Sequence, residues 1–65
     1  MKKTAWAAIR KAVDDGHEWI DIFSFDVLPE GVRKIVDASD KATPHWAKDN
    51  PVVRIAEVTI EEVVR

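Results

Sequence analysis

The ten residues Glu18 to Val27, EWIDIFSFDV, constrain this chain most, because they form its densest apolar run. Trp19, Phe23, Phe25 and Val27 share one parity, and Ile20, Ile22, Ser24 and Asp26 share the other. Successive strand residues point to opposite faces. A strand over 18–27 therefore carries one mostly aromatic face and one half-apolar face, whereas a helix scatters the same side chains all round its axis. The pattern predicts a strand.

A lone strand needs a neighbour. Residues 4–13, TAWAAIRKAV, admit two readings. As a helix they place Trp6, Ile9 and Val13 on one side, and the alanine content is favourable. As a strand they place Ala5, Ala7, Ile9 and Val13 on one face, interrupted by Lys11, with Trp6 and Ala8 on the other. Asp14-Asp15-Gly16 follows, a tight-turn signal that joins two strands, although Gly16 equally suits the end of a helix. The hairpin is the expectation, and an N-terminal helix is the alternative.

Leu28-Pro29-Glu30-Gly31 ends the strand, and Pro29 suits the first position of a helix. Val32, Ile35, Val36 and Ala42 recur at helical spacing, with Arg33, Lys34, Asp37, Asp40 and Lys41 on the other face. This predicts an amphipathic helix from about 30 to 42. Thr43-Pro44 breaks it and opens one short turn over His45, Trp46, Ala47 and Lys48; Asp49-Asn50-Pro51 is a second break. Pro51 to Thr59 reads as the last strand. Thr59-Ile60-Glu61-Glu62 has capping-box spacing, so the tail either turns helical there or continues as strand to Val63 or Val64.

The expected fold class is α+β: a single small ββαβ domain over 1–65, with the helix packed on a three-stranded sheet. Val32, Ile35, Val36, Phe23 and Phe25 form the expected core. If the last strand pairs with the first, the order is 2-1-3. The strand at 18–27 is then an edge whose outer face still shows Ile20 and Ile22, and an apolar edge invites another chain.

The chain has 65 residues and no cysteine. A domain this short buries about 60% of its unfolded surface, which leaves a margin of roughly 3–5 kcal/mol without help from disulfides or thiolate-bound zinc. The N-terminus opens with two lysines like a signal peptide, but Arg10 and Lys11 interrupt the apolar run that follows. No stretch approaches the roughly 20 apolar residues of a membrane span. A soluble cytoplasmic protein with no membrane partner is expected.

Net charge is −2, and the charges are segregated. Lys2, Lys3, Arg10 and Lys11 precede residue 14 with no acid among them. Asp14, Asp15, Glu18, Asp21, Asp26 and Glu30 follow with no Lys or Arg up to residue 30. His17 among acids and the His45/Asp49 pair read as solvated groups, because a zinc site wants three or four ligands in defined geometry. Ser24 and Ser39 stand outside any nucleophile-elbow motif, and two glycines cannot build a phosphate-cradling loop. No catalytic, metal or cofactor site is expected.

The order hairpin, helix, final strand in so short a chain resembles small proteins encoded by phages and mobile elements. Some of these bind and inhibit host machines such as RNA polymerase. The resemblance lies in element order and length and carries no site residue. The expected function is a non-enzymatic protein–protein interaction module, a small regulator or inhibitor that also has the means to self-associate. Ile20, Ile22, Asp21, Asp26 and Trp46 are the expected partner-binding residues. Trp46 has two readings, an interface anchor or a lid folded back on the core. The alternative function is weak nucleic-acid binding through the basic N-terminal segment, with Trp6 for stacking; the adjacent acids oppose it.

Overall fold

The computed structural model describes residues 2–61, whose elements run β1 (Lys2–Lys11), β2 (Glu18–Ile20), α1 (Pro29–Ala42), α2 (Pro44–Asp49) and β3 (Val52–Glu61). The sheet order is β2-β1-β3, with both pairings antiparallel. The N-terminal segment is thus the central strand, and the helical alternative for residues 4–13 does not hold. Alanine is a weak strand former, but pairing on both sides outweighs local preference here. Lys11 stands opposite Glu18 where the hairpin closes. The Ala12 N–H donates to the His17 carbonyl at 3.0 Å, and the Gly16 N–H donates to the Ala12 carbonyl at 2.8 Å. Gly16 has φ +76°, a conformation that glycine adopts without steric cost.

The second strand is shorter than its apolar run. It pairs Trp19 with Arg10 and Ile20 with Ile9, then leaves the ladder after the Asp21 N–H donates to the Ala8 carbonyl at 2.9 Å. It returns at a single bridge between Asp26 and Trp6. Unbroken pairing would set Phe23 opposite Trp6, so three residues are looped out.

The cause is side-chain chemistry at Asp21 and Ser24. The Ser24 N–H donates to the Asp21 carbonyl at 3.1 Å, which closes a turn. An Asp21 carboxylate oxygen accepts from the Phe23 N–H at 3.1 Å. The Ser24 hydroxyl accepts from the Ala8 N–H at 2.8 Å and donates to the Asp21 carbonyl at 2.7 Å. Asp and Ser side chains compete with the ladder for backbone partners in this way, and here a hydroxyl replaces a strand carbonyl at Ala8.

α1 begins at Pro29 after Leu28, which makes no side-chain cap. It lays Val32 and Val36 on Ala8 of β1, with Trp6, Val52 and Ile55 partly buried around them. Ala8 is small enough for the helix to lie close to the sheet, and burying each valine contributes on the order of 1.5–3 kcal/mol. The expected core is corrected accordingly: Val32 and Val36 are buried, Ile35 and Phe25 are half-buried, and Phe23 is exposed. Phe23 left the core when the ladder broke.

The short turn expected after Pro44 is the six-residue helix α2. The Thr43 N–H and hydroxyl both close on the Ser39 carbonyl at the end of α1. β3 is regular from Arg54 onward. Before that, Arg10 faces Val52 while Ile9 faces Arg54, so Val53 is an extra bulged residue. β3 runs through Thr59 and Ile60, so no helix is capped at Thr59. The expected extension to Val63 or Val64 lies outside the described residues. Among the described residues, no helix is long and apolar enough to cross a membrane.

Candidate protein-interaction surface

Beneath the apolar edge lies a buried charge. Arg10 sits on β1 between Ala8 and Ala12 and is fully buried. Its Nε donates to Asp21 at 2.8 Å, one terminal nitrogen donates to Asp40 of α1 at 2.9 Å, and the other donates to the Asn50 carbonyl at 2.9 Å. The guanidinium carbon lies 4.6 Å from the centre of the Trp46 ring. Trp46 meets Trp19 edge to face, with centroids 5.8 Å apart and planes at 67°. One side chain therefore joins β1, the 21–24 turn and both helices. α2 buries no residue of its own; this stack, the Asn50 contact and the Val13 N–H, which donates to the Asp49 carbonyl at 3.0 Å, hold it in place.

Arg10 fixes Asp21, which is buried and turned away from solvent. Asp26 is half-buried. One of its carboxylate oxygens accepts from the Leu28 N–H at 3.2 Å, and the group rests against Gly31 in the first turn of α1. A carboxylate at that place is favoured by the positive end of the helix. Of the two acids expected to meet a partner, Asp21 is instead buried on Arg10, and Asp26 is half-buried. Trp46 is 41% exposed, but its face is committed to Arg10. That face covers the buried ion pairs, and the rest of the residue is open to solvent.

What residues 20–28 present to solvent is the reverse of their polarity. Asp21 and Ser24 are buried and Asp26 is half-buried, while Ile20, Ile22, Phe23, Val27 and Leu28 are 45%, 66%, 85%, 79% and 57% exposed. Ile20 and Ile22 face solvent, as the strand pattern predicts. Phe23, Val27 and Leu28 were missed. The signal available for Phe23 is Asp21, an Asp suited to the first position of a turn.

The sheet face opposite α1 is less open than its composition suggests. Arg54 of β3 reaches Glu18 of β2 at 2.5 Å. Because Ile9 stands between Arg54 and Ile20 in the register, this ion pair crosses above the central strand. Ile9 is accordingly 6% exposed.

The acidic hairpin turn is explained by local bonding. The Asp15 N–H donates to the Asp14 carboxylate at 2.8 Å, and the His17 N–H donates to the Asp15 carboxylate at 3.0 Å. The hydrogen bond from the His17 backbone, then that from its ring, hold the exposed Asp15 carboxyl below the usual aspartate range. Asp14, Asp15, Asp21 and Asp26 each accept a backbone N–H. Much of the acidic stretch is thus turn chemistry.

An open cleft of about 390 Å³ is lined by Val13, Asp14, Asp49 and Asn50. Among the described residues, no group of three or more His, Cys, Asp or Glu side chains is placed to hold a metal ion. Of the basic N-terminal segment, Arg10 is buried and doubly ion-paired, while Lys3 and Lys11 are exposed. Comparison with family models, with curated proteins and with solved structures returns no match.

Proposed function

We propose that this chain acts by binding protein rather than by catalysis, as a small regulator or inhibitor whose contact surface is the outward face of residues 20–28. The observation that carries the reading is the inverted polarity of that segment: Asp21 and Ser24 are buried, Asp26 is half-buried, and five large apolar side chains turn outward. Exposed apolar groups occur singly on any protein. Five within nine residues is a concentration of the kind found at interaction sites. Cytoplasmic residence goes with this reading, because a chain without cysteine needs no oxidising compartment to fold.

The test is photo-cross-linking in the source cell, with a photoreactive phenylalanine analogue at position 23 and, as control, at Lys34 on the exposed side of α1. Specific protein adducts from position 23 that position 34 does not give, and that Ile22→Lys removes, support the reading. Equal labelling from both positions, or none from position 23, overturns it.

A further inference from the structure

We propose that the occupant of the 20–28 surface is a second copy of this chain, packed about a two-fold axis. This rests on the reading of that surface as a protein-binding site and names its partner.

The first argument is area. At their observed exposures, Ile20, Ile22, Phe23, Val27 and Leu28 present on the order of 300 Å², taking about 1.5–3 kcal/mol per side chain at about 25 cal/mol per Å². A standard interface takes about 800 Å² from each partner. The five side chains supply the apolar centre of such a contact, with a polar rim around it.

The second argument is charge. A two-fold contact sets each patch against itself, so an outward charge would meet its own copy. Asp21 is bound to Arg10 and Asp26 is folded against the start of α1. Glu18, at the margin, is paired with Arg54. Within residues 20–28 both carboxylates are engaged, and the exposed Glu30 lies beyond Leu28; an equal apolar patch meets such a surface with little repulsion.

The third argument is the thinness of the core. Among the described residues, the buried apolar set is Ala7, Ala8, Ile9, Ala12, Val32 and Val36, and half of it is alanine. Association that buries Phe23 and its neighbours adds to the folded state the apolar burial that the single chain lacks.

The rival self-contact is the outer edge of β3. Trp6 and Ala8 direct backbone groups to the β2 side, so Glu57, opposite Trp6, directs its own N–H away from the sheet. Glu57→Pro therefore removes a donor from that edge and spares the pairing with β1.

Sedimentation equilibrium on the full chain, from micromolar to millimolar, is the test, with circular dichroism confirming the fold of each variant. The wild type is expected to pass from monomer to dimer. Phe23→Asp and Ile22→Lys each weaken the dimer by roughly tenfold or more, and Glu57→Pro leaves it unchanged. A wild type that stays monomeric at millimolar concentration overturns the proposal. So does a dimer that survives both patch variants and is lost with Glu57→Pro. A monomer that still cross-links through position 23 to a different protein overturns self-pairing alone and leaves the protein-binding reading standing.

Discussion

The carboxylate of Asp26 lies against Gly31 in the space a β-carbon would fill. Two residues that the sequence sets on either side of Pro29 are thus packed together at the start of α1. Asp26 also accepts from the Leu28 N–H, so the contact fixes the chain as it enters the helix.

That contact reverses an ordinary expectation. Gly→Ala inside a helix normally gains about 0.5–1 kcal/mol. Gly31→Ala is expected instead to lose about 1–3 kcal/mol, because the new methyl collides with a short, bonded side chain. Asp26→Ala in the same chain should relieve the collision, and the two changes should be strongly non-additive. Urea denaturation of the four members of this cycle checks it; a higher midpoint for Gly31→Ala alone would show that the contact is absent.

Arg10→Met should be more damaging than any loss of a single apolar side chain. It leaves Asp21 buried without its cation, at a cost of about 3–5 kcal/mol, comparable with the whole margin of so small a domain. It also frees Trp46 and the Asn50 carbonyl, so α2 should loosen, while the bond from the Val13 N–H to the Asp49 carbonyl still ties it to the β1 segment. Arg10→Lys should not restore the fold, because one ammonium cannot reach Asp21, Asp40 and Asn50 as the guanidinium fork does. Loss of the near-ultraviolet tryptophan signal and of a cooperative melt is the readout.

Val32→Ala and Phe23→Ala should rank against residue size. Val32 is fully buried and its truncation should cost about 2 kcal/mol. Phe23 is 85% exposed, and its truncation should change the stability of the dilute chain by less than about 0.5 kcal/mol. Denaturant midpoints at low micromolar concentration compare the two directly; a larger loss at Phe23 would return that ring to the core.

The hairpin turn should carry a small pH dependence at its acidic end. The His17 bonds lower the Asp15 carboxyl in the folded chain. Its contribution is therefore complete above the unfolded aspartate pKa and is lost as pH falls through the lowered folded value. A carboxyl-carbon titration should find Asp15 below aspartate in an unstructured peptide. His17→Ala should move it upward by removing the ring bond; an unmoved titration would place the cause in the backbone alone.

Local signals in the sequence determined much of this protein. Alternation and the Asp-Gly turn made a hairpin of the first two segments despite the alanines of β1. Pro29 and Pro44 marked the starts of both helices, and the 3.6-residue recurrence of Val32 and Val36 named the buried stripe. The edge position of the second strand followed once the last strand was paired with the first. These features are readable because neighbours in the chain enforce them.

The tertiary structure decided where the polar groups went. From the sequence, Arg10 is one of four cations in a basic segment, and Asp21 and Asp26 are two of six acids. Their partners lie 11 and 30 residues from Arg10, and across a proline from Asp26. No local pattern encodes such pairings. The strand over 18–27 failed because a local turn preference at Asp21 competes with its parity. A ladder bond and a side-chain-to-backbone bond each contribute about 1 kcal/mol net, so parity alone cannot choose between them. Arg10 holding Asp21 and Ala8 engaging Ser24 tip that balance, and both contacts exist only once β1 lies alongside. The outcome turned Phe23 from a core residue into the most exposed aromatic ring among the described residues.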